Sequence, residues 1–254
     1  MKDPQRMKRL IAGPRAVEEA VRSHPHLITV LYHDPEVGPA VRALLTLAEQ
    51  RKVRIEPRSR AELQVLSRGL RDQGILAIAG EYPYVGLEAL LEPQPHAPLL
   101  VALDQIQDPH NLGAIVRSAV AFKADGVITL KDRAAPVTPV TVRASAGATE
   151  QARIARVTNL ARTLGELRKR GLQIVGLAGE GTSALIDVPF ESPGRVLVIG
   201  SEGSGLRPLV RKQCDHLARI DLPGPIASLN ASVAAGIAIF VSQQQRAEHG
   251  RPQA

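Results

Sequence analysis

The chain has 254 residues, and 44% of them are hydrophobic, which is enough apolar material for a sizeable core in one or two domains. Lys and Arg total 32 against 25 Asp and Glu, so the net charge of +7 favours a polyanionic partner, nucleic acid first. A single cysteine, Cys214, excludes an internal disulfide and a cysteine-based metal site, and an aromatic content of 2% disfavours base-stacking platforms.

The first third of the chain alternates helical and extended patterns. Apolar spacing predicts helices over 13–21, 37–51 and 59–68 and strands over 27–32, 53–55 and 75–79. Pro14 suits the first turn of a helix, and Ser59 is typical of an N-cap. These elements predict a small α/β domain.

Three prolines between Glu92 and Pro98 follow this unit. Closely spaced prolines favour an extended, stiff linker that cannot hold a helix. We therefore predict a first domain over 1–92, a linker over 93–98 and a second domain over 99–254.

The second domain alternates apolar strand-like runs with helical patterns. The predicted strands are 99–103, 127–130, 172–177, 196–200 and 216–221, and the predicted helices are 112–123, 138–148, 160–170, 206–213 and 229 to about 245. Alternation of this kind predicts an α/β fold with a parallel sheet covered on both faces. Ligands of such folds bind at the carboxyl ends of the strands.

Three polar patches follow the predicted strands. The first contains Asn111 and Arg117, although Asn111 would also fit a helix cap and Arg117 a solvated helix face. The second is Gly200–Gly205 with Glu202, whose G-x-x-G-x-G spacing departs from the dinucleotide-binding loop and fits an ordinary capped turn as well. Together the patches predict one site made of strand-end loops.

The third patch ends in Ser228, Leu229 and Asn230 and opens the last helix. Ser228 fits an N-cap, with Asn230 in the first helical turn. The small residues that follow suit close helix packing or a dimer interface. The scattered histidines form no H-x-x-x-H or comparable cluster beside acidic ligands, which predicts no metal site, and the absence of a long apolar run predicts a cytoplasmic protein without a membrane span.

In order and spacing, these patches resemble the SpoU, or TrmH-type, RNA 2′-O-ribose methyltransferases of the SPOUT superfamily, over 99 to about 246. The segments 11–17, 72–75, 131–139 and 154–160 are similar to the subgroup that methylates a guanosine ribose in bacterial 23S rRNA. The resemblance implies an L30e-like substrate-binding domain, then a parallel-sheet SPOUT domain with a C-terminal trefoil knot. It also implies a homodimer.

The resemblance further implies S-adenosyl-L-methionine as methyl donor and assigns the site residues. By position, the donor-binding residues would be Gly176, Gly200, Ile220 and Leu229. The catalytic residues would be Asn111, Arg117, Glu202, Ser228 and Asn230. Where relatives have Ile-Pro-Met, this chain has Ile220-Asp221-Leu222, so Asp221 is expected to turn outward.

The implied reaction is attack of a ribose 2′-oxygen on an activated methyl group, in which positioning supplies much of the rate. The sequence leaves open whether Arg117 is the base, since a free guanidinium stays protonated at neutral pH. Alternatively, Arg117 lowers the pKa of the hydroxyl electrostatically while Asn230 and Ser228 orient it. The preferred substrate is 23S rRNA, specifically the peptidyl-transferase region, or a large-subunit precursor. The alternatives are a tRNA ribose 2′-O-methyltransferase, an enzyme acting on another rRNA site, and a non-catalytic RNA-binding or ribosome-assembly factor.

Overall fold

The computed structural model describes residues 9–191 and 193–249, which form two compact units. The first comprises the described residues up to Pro83 together with Val137–Gln151, and the second comprises Tyr84–Pro136 with the described residues from Ala152 onward. The division predicted from sequence differs at two points. The first unit ends before the proline-rich stretch, and a segment from within the predicted second domain packs with the first.

The first unit contains a four-stranded mixed sheet with the strand order β1-β4-β2-β3. Strand β4 runs antiparallel to β1 and β2, whereas β2 and β3 are parallel. The strands are β1 Arg9–Ala12, β2 Ile28–His33, β3 Ile55–Pro57 and β4 Ile75–Ala79, and the helices are α1 Pro14–Ser23, α2 Pro39–Gln50 and α3 Arg60–Ser67. The Ser59 side chain caps α3, in a capping box with Glu62, as the sequence predicts.

The segment Val137–Gln151 is tied to this unit by apolar and polar contacts. It begins with helix α5, Pro139–Ala144, which packs on β1, and Val142 lies in the first unit's core. The Tyr82 hydroxyl donates to the Thr149 carbonyl at 2.6 Å. Arg9 and Glu150 form a buried ion pair, and burial raises the pKa of the Glu150 carboxyl. These contacts explain why the boundary predicted from chain order alone differs from the structure.

The second unit is a seven-stranded, fully parallel sheet with the strand order β7-β6-β5-β10-β8-β11-β9. Its strands are β5 Leu99–Asp104, β6 Gly126–Leu130, β7 Ile154–Val157, β8 Gln173–Leu177, β9 Ser183–Ala184, β10 Arg195–Gly200 and β11 His216–Arg219. Its helices are α4 Pro109–Ala121, α6 Leu160–Lys169, α7 Pro208–Arg211 and α8 Ala231–His249. The predicted α/β class with a parallel sheet is confirmed, whereas the trefoil knot stays a prediction.

The helices divide between the two faces of this sheet. Leu100 and Ala102 of β5 share a core cluster with α6 and with Val210 of α7. Helices α4 and α8 pack against each other, and α8 contacts β5 and β10. Because successive strand residues point to opposite faces, α4 and α8 cover the face that Leu99, Val101 and Leu103 line.

The element predictions differ from the structure mainly at short elements. Strand 75–79 is as predicted, whereas β1, β7 and β9 were not predicted. The helix predicted over 138–148 ends at Ala144 and is followed by a turn of 3₁₀ helix at Ala148–Glu150. None of the helices formed within residues 9–191 and 193–249 is long and apolar enough to cross a membrane.

Candidate active site

The first two patches begin side by side because β5 and β10 are parallel neighbours, with Asp104 and Gly200 paired at their carboxyl ends. Asp104 is completely buried. Its Oδ1 accepts from the Arg207 guanidinium, with Nε at 2.7 Å, and its Oδ2 accepts from the Arg207 backbone N–H at 2.9 Å. This ion pair fixes the end of the loop after β10. Sequence reasoning missed it, and the only signal was an acid at the end of an apolar run.

The loop after β10 folds back tightly on the strand. Ser201 and Gly205 exchange backbone hydrogen bonds of 2.9 and 3.2 Å. Gly203 and Gly205 have positive φ angles of 81° and 61°, which glycine adopts without strain. A Cβ on Gly200 would lie 2.3 Å from the Gly205 carbonyl carbon, so only glycine fits there.

Three of the predicted catalytic side chains form one hydrogen-bonded cluster. Glu202 Oε1 accepts from Asn111 Nδ2 at 3.1 Å and also from Asn230 Nδ2. Asn230 Nδ2 donates to Asn111 Oδ1 at 3.0 Å as well. The same Glu202 oxygen accepts from the Ala231 backbone N–H at 3.3 Å. The carboxylate therefore sits at the N-terminus of α8, where the helix dipole favours negative charge.

The cap of α8 differs from the sequence prediction. Asn230, not Ser228, is the capping residue, because its Oδ1 accepts from the backbone N–H groups of Ser232 at 2.9 Å and Val233 at 3.3 Å. Ser228 is exposed and makes no hydrogen bond with any residue in the described part of the chain. Asn111 is likewise no cap, since Asp108 caps α4 and Asn111 is buried in the first turn.

A cavity of about 1140 Å³ opens beside the cluster, at the carboxyl ends of β8, β10 and β11. Its walls come from the loops 177–180, 199–206 and 218–231. Among the predicted residues it is lined by Gly200, Glu202, Ile220, Ser228, Leu229 and Asn230. The structure thus brings six of the nine predicted site residues to one cavity.

Gly176 does not line that cavity, although its successor Leu177 does. A Cβ on Gly176 would lie 2.7 Å from Cys214 Sγ and 2.7 Å from a Leu206 methyl carbon. Burial raises the pKa of the Cys214 thiol to about 12, which keeps it neutral in this packing. Direct donor contact by Gly176 therefore gains no support, and the residue allows Leu206 to pack below the loop.

Two charged residues stand apart from the cluster. Arg117 on α4 is exposed and makes no hydrogen bond or ion pair within residues 9–191 and 193–249. The exposed Asp221 carboxylate pairs with Arg219 at 2.8 Å, which agrees with the expectation that it turns outward. Arg219 also donates to the Gly181 carbonyl at 3.1 Å, so it braces the wall of the cavity.

Comparisons with known proteins match both units. The sequence profile of the SpoU rRNA Methylase family matches residues 98–240, and that of RNA 2′-O ribose methyltransferase substrate binding matches residues 10–85. The chain is 40% identical to "23S rRNA (guanosine-2′-O-)-methyltransferase RlmB" of Pseudomonas aeruginosa, over 93% of this chain and 96% of the relative.

Solved structures give the same result. The SpoU methyltransferase AviRb from Streptomyces viridochromogenes, in complex with the cofactor AdoMet, superposes with a TM-score of 0.81 at 27% identity, over 96% of this chain and 92% of that one. The AdoMet-bound rRNA methyltransferase from Sinorhizobium meliloti gives 0.78 at 25% identity, over 98% and 90%. With its profile matched over more than half of the length, the chain belongs to the SpoU rRNA methylase family.

Proposed function

We propose that this protein transfers a methyl group from S-adenosyl-L-methionine to the ribose 2′-hydroxyl of a guanosine in 23S rRNA. The observation that carries the proposal is the Asn111–Glu202–Asn230 cluster, which adjoins a strand-end cavity in a member of this family. The relative from Pseudomonas aeruginosa, 40% identical over nearly its whole length, supports the substrate class. A ribosomal RNA substrate implies that the protein works in the cytoplasm.

The cavity suits the proposed donor. Its volume is sufficient for a nucleoside joined to an amino acid, and its walls are largely backbone loops with apolar side chains from Ile220 and Leu229. Gly200 keeps the wall free of a side chain. When bound, the donor supplies an electrophilic methyl group on a positively charged sulfur, and the Glu202 carboxylate complements that charge.

The residues of the cluster orient polar groups toward the cavity. Glu202 holds the carboxamides of Asn111 and Asn230 in fixed directions through hydrogen bonds to a single oxygen. The Ser228 hydroxyl on the cavity wall has no protein partner among the described residues, so it is available to an incoming ribose. Orientation of this kind raises the rate because the methyl group needs little further activation.

We assign substrate binding to Arg117. It is exposed and has no ion-pair partner among the described residues, so its guanidinium is available for bidentate contact with an RNA phosphate. A cation held there also stabilises the charge that develops on the 2′-oxygen as its proton leaves. Both roles require the Arg117 side chain to contact the RNA, and neither requires it to contact the methyl donor.

The Arg117 assignment is tested by substitution. We expect Arg117→Ala to lower turnover by about 100-fold or more, because one preorganised charge is lost from the transition state. Donor affinity, measured by calorimetry, should stay within about twofold. Turnover close to wild type would contradict the assignment. Arg133→Ala is a matched control, since Arg133 is also exposed in the second unit but is assigned no role in the reaction.

We further propose that the protein acts as a homodimer. Val233, Ile237 and Phe240 form an exposed apolar stripe along α8, at spacings of four and three residues. These spacings place all three side chains on one side of the helix. A second copy of the chain packed on α8 would cover the stripe and lie next to Asn230, at the start of the same helix.

The substrate is identified by incubating the purified protein with radiolabelled S-adenosyl-L-methionine and, separately, unmodified 23S rRNA, 16S rRNA and tRNA. We expect labelled 2′-O-methylguanosine from 23S rRNA alone. Label in tRNA would keep the reaction and overturn the substrate. No label in any RNA, with large-subunit precursor particles included, would overturn the reaction and favour the role of an RNA-binding assembly factor.

A further inference from the structure

A second, smaller groove lies between α6 and α7 of the second unit and has a volume of about 550 Å³. Four cationic side chains and a single carboxylate line it. The cations are Arg162, Arg168, Lys169 and Lys212, and the carboxylate belongs to Glu166. The walls of this α6–α7 groove therefore carry a surplus of positive charge.

Most of that charge is not neutralised within the protein. Arg162 pairs with Glu166 at 3.0 Å, whereas Arg168, Lys169 and Lys212 make no ion pair within residues 9–191 and 193–249. The cations next to them along the chain behave differently, because Arg170 pairs with Glu88 and Arg211 pairs with Glu180. Of these neighbouring cations, the unpaired ones line the groove and the paired ones do not.

The shape of the groove follows from how the two helices pack. The apolar side of α6, with Leu160, Leu164 and Leu167, lies in the core, so the cations project outward. Gly165 faces α7, and a Cβ there would lie 2.9 Å from Gln213 Oε1. Because residue 165 has no side chain, the Gln213 carboxamide can lie between the helices and give the groove a polar floor.

A solvated basic face is the ordinary interpretation of cations at the end of a helix, where the dipole favours them. It accounts for Arg168 and Lys169 in the last turn of α6 and for Lys212, the C-cap residue of α7. It does not account for Leu209, whose apolar side chain on the groove wall is 67% exposed. Cations from two elements around an exposed apolar side chain suit a nucleic-acid strand, which offers phosphates beside sugars and bases.

We propose that the α6–α7 groove binds the phosphate backbone of the RNA substrate at nucleotides outside the one that is methylated. Helix α7 connects the two sites, because Arg211 lines the candidate donor cavity while Leu209 and Lys212 line the groove. A strand that enters the active site can therefore continue over α7 into the groove. This inference rests on the proposed function, because it requires the substrate to be RNA.

The test measures the affinity of wild-type protein and variants for an unmodified 23S rRNA transcript as the salt concentration is raised. Each phosphate contact contributes about 0.7–0.9 to the slope of log K against log salt. We expect Arg168→Ala, Lys169→Ala and Lys212→Ala each to lower the slope by about that amount. The triple variant should lower it by about 2 to 3 and weaken binding roughly 10-fold or more.

Lys123→Ala is the matched control, because Lys123 is an exposed lysine of the second unit that lines neither the cavity nor the groove. It removes the same charge as each lysine variant and should leave the slope unchanged. Exposed substitutions of this type change stability by about 0.5 kcal/mol or less, so the variants are expected to fold. Circular dichroism and donor binding check that they do.

A triple variant with the slope of the Lys123→Ala protein would overturn the inference, as would a wild-type protein whose rRNA binding does not depend on salt. An acidic protein partner for the groove would give the first of these results. Labelling of RNA by the wild-type protein, measured in parallel, separates this inference from the proposed reaction. Labelling of 23S rRNA with an unchanged slope in the triple variant overturns the groove alone, whereas no labelling with a lowered slope overturns the reaction alone.

Discussion

Glu202 is the residue on which the geometry of the candidate site depends. One of its carboxylate oxygens accepts hydrogen bonds from two carboxamides and from the backbone at the start of α8. An ionised carboxylate only accepts hydrogen bonds, so both amide groups are forced to present their NH₂ to it. The Asn230 oxygen is then directed to the helix N-terminus, where it caps α8.

Replacing this carboxylate by an amide would remove the negative charge from the acceptor of these hydrogen bonds. In Glu202→Gln the amide oxygen can take the place of Oε1 and accept the same hydrogen bonds, but the acceptor loses its negative charge. We expect turnover to fall roughly 10- to 100-fold, since a hydrogen bond to a charged group contributes about 1.5–3 kcal/mol. Glu180→Gln is the control, because Glu180 lines the same cavity but, among the described residues, forms an ion pair only with Arg211. Equal turnover in the two variants, measured with labelled donor, would contradict the role of Glu202.

Gly200 is required for a different reason, namely space. In Gly200→Ala the new Cβ would lie 2.3–2.4 Å from the carbonyl of Gly205, so the loop after β10 must move. We expect donor affinity to fall at least about 10-fold and stability to fall by about 1–3 kcal/mol, as for other overpacked sites. In the control, Gly224→Ala, the Cβ meets no atom of a described residue within 4 Å, although Gly224 lines the same cavity. Calorimetry measures donor affinity and stability in both variants. Equal values for Gly200→Ala and Gly224→Ala would contradict this account.

The sequence predicted the residues of the Asn111–Glu202–Asn230 cluster, but not the contacts that hold the surrounding loops in place. Parallel strands place their carboxyl ends at one edge, so polar patches after 99–103 and 196–200 could be expected to meet, and Asn111 and Glu202 are indeed in contact. The pairing of Asp104 with Arg207 joins residues 103 positions apart and leaves no periodic signal. Which of two nearby polar residues caps a helix also depends on the path of the loop. The sequence therefore predicted Ser228 as the cap of α8, whereas the structure has Asn230 in that role.

At the scale of elements, Arg195 links the start of β10 to two other parts of the second unit. It is completely buried, and no carboxylate pairs with it in the described part of the chain. Its guanidinium donates to Gln173 and to Ser242 and Gln245 of α8, and to the carbonyls of Val188 and Pro189. Desolvation lowers its pKa to about 10, so it stays protonated at neutral pH. It therefore holds α8 against the amino ends of the strands, away from the active site at their carboxyl ends.

Removing this guanidinium should weaken the whole unit. Arg195→Met leaves several buried acceptors without donors, and we expect the free energy of unfolding to fall by about 3–5 kcal/mol. Arg195→Lys keeps the charge but loses the planar guanidinium, so it should also destabilise the protein. It replaces Arg195→Met in the test if that variant fails to fold. Arg162→Met, at an exposed pair, should cost about 0.5 kcal/mol or less. The free energy of unfolding of each variant is measured by denaturant unfolding. Equal values for Arg195→Met and Arg162→Met would contradict this role of Arg195.

The elements that sequence reasoning missed were short or assembled from distant parts. Strand β7 has only four residues, Ile154–Val157, which is too few to show a pattern, and it is recognised in the structure by its pairing with β6. Segment 137–151 has helical spacing in its own right. Its place in the first unit depends on Val142 and Glu150 meeting residues far away in the chain. Local periodicity predicts that a helix forms, but not which core it joins.

At the scale of the whole molecule, α8 connects the candidate active site with the proposed dimer surface. Its first residues receive the Glu202 carboxylate, and its middle carries the exposed stripe of Val233, Ile237 and Phe240. The Phe240 ring also lies 5.4 Å from that of Phe122, which extends the apolar surface toward α4. Isolated apolar side chains are common on protein surfaces, but a contiguous patch of them favours an interface. If the stripe is buried in a homodimer, assembly and activity should fail together.

The substitution Ile237→Lys tests this link, because it places a charge at the centre of the stripe. A buried, unpaired ammonium opposes association, so we expect the dimer to dissociate at least about 10-fold more readily, at a cost of about 1.4 kcal/mol or more. Sedimentation velocity over a range of concentrations measures the shift, and labelled donor measures turnover at the same concentrations. Val65→Lys is the control, since Val65 is 77% exposed on α3 and lies outside the stripe. A wild-type protein that sediments as a monomer, or an Ile237→Lys protein that dimerises like the Val65→Lys protein, would overturn the proposal. A dissociated variant that keeps full turnover would instead show that each chain holds a complete site.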